Sequence, residues 1–215
     1  MSEDAQQEKP NHRTLVGQKR RIATEGRIVR AAMKVFAERG VDVPVIDDFI
    51  RESGVSRGTF YNYFRSTHEL LDATIELILN ETNRQIEQLL DGVTGPAERM
   101  ATALCLYLRN GLRDREFAQF MAAMPYIGDS ARRSLASDLM RGQRAGVFVY
   151  ASREIAEDLV LGTMQQCFRR IAESTPSDGF ERDVAATILR GLGSSNEVIE
   201  SVLAGLQQWD SSDEV

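Results

Sequence analysis

The sequence predicts an all-α fold, and three observations carry that expectation. Apolar residues recur at three- and four-residue intervals along most of the 215 residues, the period of a helix with one buried stripe. Breakers such as Asp91-Gly92, Gly95-Pro96, Pro176 with Gly179, and Gly193-Ser194 separate those stripes. The one run with strand character, Val147-Phe148-Val149-Tyr150, is too short to found a sheet.

Taken in order, residues 1–20 are polar and end in the basic cluster Lys19-Arg20-Arg21, expected to be a flexible tail. Ile28, Ala31, Ala32, Val35 and Phe36 then fall on one helix face, which Gly40 closes as a left-handed cap. A short second helix has Pro44 in its first turn and Ile46, Phe49 and Ile50 as its inner stripe. Gly54 ends it, and Ser56 caps a third helix expected to reach Phe64 or Arg65. Ser66 to Glu69 form a capping box ahead of a long stripe, Leu70, Leu71, Thr74, Ile75, Ile78, Ile86 and Leu89. Six more helices follow at about 96–112, 114–124, 129–142, 153–174, 180–191 and 195–209. The expected organisation is a tail over 1–20, a three-helix helix-turn-helix module over 21–66, and a larger helical body over 67–215.

Bulk composition narrows the functional classes. An apolar content of 42% supports a real core. The net charge of −6 hides an asymmetry: residues 9–65 hold 12 Lys/Arg against 6 Asp/Glu, whereas residues 66–215 hold 14 against 23. A basic module on an acidic body is the pattern of a chain that meets phosphate at one end. The longest apolar runs are too short to span a bilayer, and the polar N-terminus has no secretion-signal core. Cys105 and Cys167 sit in apolar helical patterns and share no spacing motif, as reduced buried thiols would. A cytoplasmic location is expected, with no membrane partner.

The stretch "SGVSRGTFYNYF" carries the functional signal. On a helical wheel Phe60 and Phe64 share the inner side, Gly58, Asn62 and Arg65 lie opposite, and Thr59, Tyr61 and Tyr63 flank them. A tyrosine at such an edge can donate to a phosphate while its ring packs on the helix beneath. A glycine inside a helix costs about 1 kcal/mol relative to alanine, which close approach to a groove floor would justify. Helix, glycine turn, helix with a polar outer face is the helix-turn-helix arrangement. The same spacing also fits an ordinary helical hairpin, so an all-α adaptor binding protein through that hairpin is the alternative. Salt separates the two, because phosphate binding weakens steeply with ionic strength.

The segment "AAMKVFAERG…IDDFIRESGVSRGTFYNYFRSTHELLDA" resembles the N-terminal DNA-binding domain of the tetracycline-repressor (TetR) family over residues 24 to 75. The resemblance implies a cytoplasmic homodimeric transcription regulator, a repressor released from DNA by a small molecule. It also implies a palindromic operator in double-stranded DNA as partner. By position, Val55, Phe60 and Phe64 support the recognition helix, and Ser56, Tyr61 and Tyr63 are backbone-positioning contacts. Arg57, Gly58, Thr59 and Asn62 are candidates for reading bases; arginine suits guanine, asparagine adenine, and the threonine methyl thymine. Lys19, Arg20 and Arg21 would form an arm near a groove or phosphate. Three positions depart from the family pattern. Pro44-Val45 stand where a threonine often starts the second helix, Ile50 replaces a small residue facing the third helix, and Thr67 replaces a lysine. Arg65 is the candidate substitute for that lost phosphate contact.

In the body, Met100, Leu104, Tyr107, Phe117, Phe120, Met121, Met124, Met164 and Phe168 are candidate linings of a pocket for an unknown small apolar or amphipathic ligand. Each also fits plain core packing. Small residues on the last long helices, among them Ala156, Gly162, Ala185 and Ala186, suit a four-helix dimer interface of the kind the resemblance implies. No catalytic constellation is expected. His12 and His68 have neither metal nor triad spacing, and no phosphate-binding or nucleophile motif occurs. No cofactor or metal is called for.

Overall fold

The computed structural model describes residues 12–210. They form ten α-helices: α1 (His12–Arg39), α2 (Ile46–Ser53), α3 (Arg57–Tyr61), α4 (Thr67–Leu89), α5 (Pro96–Arg113), α6 (Arg115–Ala123), α7 (Asp129–Arg144), α8 (Arg153–Glu173), α9 (Phe180–Gly191) and α10 (Asn196–Asp210). No strand occurs among the described residues, as the sequence led us to expect. Residues 1–11 of the expected tail, and 211–215 of the body, lie outside them.

The basic cluster is the main departure. Lys19, Arg20 and Arg21 are not in an extended tail but on α1, which begins at His12. Between His12 and Arg39 stand only two isolated glycines and no proline, while Gln, Lys, Arg and Ala all favour the helix. The apolar stripe begins only at Ile28, so periodicity was silent upstream. The third helix is also shorter than expected. It ends at Tyr61, with Asn62 as C-cap and Tyr63 and Phe64 continuing as a turn whose N–H groups both donate to the Phe60 carbonyl. Ser66 must be extended to cap α4, at φ −146° and ψ 163°, and this forces the chain out of helix before Arg65.

A single core runs through the molecule, from Ile28 on α1 to Leu206 on α10. At the N-terminal end α1, α2 and α4 pack together, with the Phe36 and Phe49 rings 4.9 Å apart. In the body α5 lies against α8, α9 and α10, and α7 bridges α4, α5 and α8. Helix α6 joins the two regions, because it packs on both α1 and α8. The chain after α7 turns through Gly146 and inserts Phe148, fully buried, against Gly142. A Cβ on Gly142 would stand 2.0 Å from the Phe148 ring, so only glycine allows that approach. No described helix is long and apolar enough to cross a membrane.

The small-residue stripes of α8 and α9 are used mostly within the subunit. Ala156, Val160, Ala185, Ala186, Ile188, Leu189 and Leu192 are all buried in this one chain. Of the apolar and small residues of α8, Ile155 is exposed and Gly162 has open surroundings.

Candidate functional site

The α2–α3 corner is built from local hydrogen bonds that fix how α3 is presented. Val45 carries no capping side chain, and the threonine cap is indeed missing. The reciprocal half of a capping box is present instead: the Val45 N–H donates to Asp48 Oδ2 at 3.1 Å. The other oxygen of Asp48 accepts from Arg39 at 2.9 Å and Arg51 at 2.6 Å, which ties α2 to the end of α1. The Val45 amide, then Arg51, hold the Asp48 carboxyl below its ordinary titration range despite its burial. Lys34 on α1 adds a second tie, to Glu52 at 2.6 Å.

Gly54 makes the turn. At φ 65° it occupies the left-handed region, and its N–H donates to the Ile50 carbonyl at 3.0 Å. Ile50 itself is half-buried against the core, so the larger side chain is absorbed there. Ser56 then caps α3, its Oγ accepting from the Thr59 N–H at 3.1 Å and lying 2.8 Å from the Thr59 hydroxyl. With Val55, Phe60 and Phe64 all buried, α3 rests on three apolar anchors and can neither roll nor slide without opening the core.

The outward face has the composition the helical wheel anticipated. Ser56, Arg57, Gly58, Tyr61, Asn62 and Arg65 are exposed, and Thr59 and Tyr63 half-buried. Apart from its chain neighbours and its own helix backbone, nothing described lies within 4 Å of where a Gly58 Cβ would sit, so packing does not require that glycine. Arg57 is not free: its guanidinium pairs with Asp47 on α2. Because α1 is helical from His12, its basic residues stand beside α3. Arg20 and Arg21 line one notch with Thr59, Asn62 and Tyr63, and the Arg21 guanidinium lies 5.5 Å from the centre of the Tyr63 ring. Lys19 is exposed and outside that notch.

The body contains a cavity of about 290 Å³ among α4, α5, α7 and α8. Seven of the candidate lining residues meet there: Met100, Leu104, Tyr107, Met121, Met124, Met164 and Phe168. Phe117 and Phe120 do not. Phe117 meets Phe168 edge-on at 5.9 Å and lines a separate notch with Met33 and Ile78, and Phe120 is wholly buried in the packing of α6. Phe117 is drawn to that notch because α6 also covers α1. The cavity wall also holds polar residues that the apolar pattern did not identify, chiefly Asn83 and Gln165. Each occupies a stripe position: Leu79, Asn83, Ile86 and Leu161, Gln165, Phe168 both follow i, i+4, i+7. A polar residue interrupting a buried stripe was the signal available in the sequence.

Residues 28–74, spanning most of α1 through the first turns of α4, match the sequence profile of the bacterial regulatory proteins of the tetR family. Over these residues the chain carries the DNA-binding domain of that family. Among curated relatives, it is 39% identical over 66 residues to the uncharacterised HTH-type transcriptional regulator YvdT of Bacillus subtilis, covering 31% of this chain and 34% of that protein. It is 27% identical over 168 residues to the HTH-type transcriptional regulator BetI of Rhizobium meliloti, covering 77% of this chain and 73% of that one. The chain spans about a third of the length of YvdT, and of HbdR of Aromatoleum, in these matches. Among solved structures, ligand-free RolR superposes with a TM-score of 0.64 at 25% identity, over 83% of this chain and 96% of that one. A second RolR structure, in complex with resorcinol, gives 0.62 at 26% identity, over 86% of this chain and 95% of that one. The structural likeness thus extends from the N-terminal helices through the helical body.

Proposed function

We propose that this chain is a sequence-specific DNA-binding regulator of transcription, a repressor that a small molecule releases from its operator. The observation that carries the reading is α3: an exposed polar face, Arg57, Gly58 and Asn62, held on three buried anchors. Such a helix enters the major groove, where Arg57 and Asn62 read base edges and the Thr59 methyl meets thymine. Ser56, Tyr61, Tyr63 and Arg65 contact the backbone and set the register. Lys19, Arg20 and Arg21, on the N-terminal turns of α1, supply further charge beside the same groove.

A twofold dimer places two α3 helices about one DNA turn apart, or a multiple of it, and so selects an inverted repeat. The outward residues of α8, Ile155 and Gly162, lie on the face available for that contact. The cavity is the effector site. A ligand there bears on Met121 and Met124, at α6 and its C-cap, and α6 packs directly on α1. An effector that favours one position of α6 therefore shifts the population of headpiece arrangements, and with it operator affinity. That RolR, a structural neighbour, has been solved in complex with resorcinol supports a small-molecule effector.

The test is selection of DNA from fragments of the source genome by purified protein at two salt concentrations, followed by sequencing. Recovery of a short inverted repeat, weakened at the higher salt and lost in a Tyr61→Ala/Asn62→Ala variant, is the expected result. Absence of any enriched fragment at low salt overturns the reading. A salt-insensitive protein partner captured by the same face would favour the adaptor instead.

A further inference from the structure

The polar groups around the cavity are almost all paired within the protein. At its rim, Glu87 accepts from Arg99 at 2.7 Å, Arg132 reaches Glu157 at 3.5 Å, and Asp138 pairs with Arg141. Inside, Gln165 Nε2 donates to the Met124 carbonyl at 3.0 Å. The Tyr107 hydroxyl donates to Asn83 Oδ1 at 2.5 Å, and burial raises the phenol pKa, keeping it protonated. That bond occupies the carbonyl end of the Asn83 amide. The other end, Nδ2, is buried and has no acceptor among the described residues, the one such atom on the cavity wall.

A buried amide donor without an acceptor is costly, so a molecule that supplies one is favoured over an isostere that does not. Charge in the ligand has nothing to meet, because each ionised group named at the rim already has its counter-ion. An apolar cavity of about 150 Å³ accommodates benzene, with its six non-hydrogen atoms, so by proportion 290 Å³ holds on the order of ten. We infer that the cavity takes an uncharged, mostly apolar molecule of about ten non-hydrogen atoms that presents an oxygen acceptor to Asn83 Nδ2. The inference rests on the cavity being the effector site, and it adds the chemistry by which that site chooses.

Methionine methyls on the cavity wall, Met100, Met121, Met124 and Met164, offer a readout local to the site. Full-length protein carrying ¹³C-methyl methionine is titrated with 1-indanone, indane and indane-2-carboxylate, three similar shapes that differ in the acceptor and the charge. The ketone is expected to bind about 5- to 100-fold more tightly than the hydrocarbon, with the carboxylate weakest. Asn83→Leu should erase that preference while leaving indane affinity within about threefold, since leucine keeps the bulk and removes the donor. Tyr107→Phe, which frees the amide to turn, should reduce the preference, and it serves if the leucine variant does not fold. Equal binding of ketone and hydrocarbon, or tighter binding of the carboxylate, overturns the inference while the pocket stands. If no probe moves the cavity methyls at millimolar concentration, the effector-site reading falls with it.

Discussion

Arg57 is the strongest candidate for reading a guanine, yet in the free protein it pairs with Asp47. If Arg57 must leave that partner to reach a base, Asp47 taxes binding, and Asp47→Asn should tighten it. The two side chains are 61% and 62% exposed, which places the pair among solvent-screened surface ion pairs. Such pairs are worth about 0.2–1 kcal/mol, so release of Arg57 should raise affinity by a factor of about 1.4 to 5. Asp47 also sits in the first turn of α2, where a carboxylate stabilises the helix by about 0.3–1 kcal/mol. The variant should therefore be slightly less stable and bind more tightly. Fluorescence anisotropy with the recovered inverted repeat, in the native and Arg57→Ala backgrounds, measures both the effect and its coupling. Weaker binding by Asp47→Asn would mean that Asp47 orients Arg57 productively. An equal gain without Arg57 would mean that the carboxylate merely repels phosphate. Either result refutes the release argument.

Other expectations concern the platform and the packing. Phe60 is fully buried, so Phe60→Ala should cost about 3–5 kcal/mol, read as a large fall in Tm, with DNA binding lost alongside. Asp48 titrates lower in the folded chain than in the unfolded one, so its contribution is complete above about pH 4 and disappears as pH falls through the folded value. Asp48→Asn should therefore narrow the stability gap to the native protein as a denaturant series moves from pH 7 to pH 3. Gly142→Ala forces a methyl into the buried Phe148 ring. Overpacking of about 1–3 kcal/mol outweighs the helix gain of about 1 kcal/mol, so Tm should fall, and Phe148→Leu in the same chain should recover part of the loss.

How much was legible in the sequence depended on local punctuation. Helices α4 to α10 end within two residues of expectation because each boundary carries a breaker or cap: Ser66, Gly95-Pro96, Asp114, Gly128, Ser152, Gly179. The start of α1 was hidden for the opposite reason. Residues 12–27 have helix-forming composition but no buried stripe, and periodicity reports burial rather than helicity. At α3, the aromatic run encouraged a longer helix, whereas the decisive constraint came from outside it, in the extended Ser66. The inner and outer faces of α3 were nevertheless correct from spacing alone. In the body, spacing identified buried residues but not which of two neighbours each one faces. Phe117 went to a notch shared with Met33 of α1, Phe120 does not reach the cavity, and Asn83, a polar residue at a stripe position, was not singled out.

Helix α6 lies on α1 and on the cavity side of the body alike, and one core continues through all of it. This has a bearing on modular exchange. A chimera that grafts residues 12–66 onto a foreign body would bring an α1 surface shaped for this α6, and the graft would inherit a mismatch at the joint. A transplant confined to the outward positions of α3 leaves that seam untouched. If α3 reads the operator as proposed, retargeting comes down to changing a few side chains on one short helix, with the remainder of the headpiece kept as part of the body it serves.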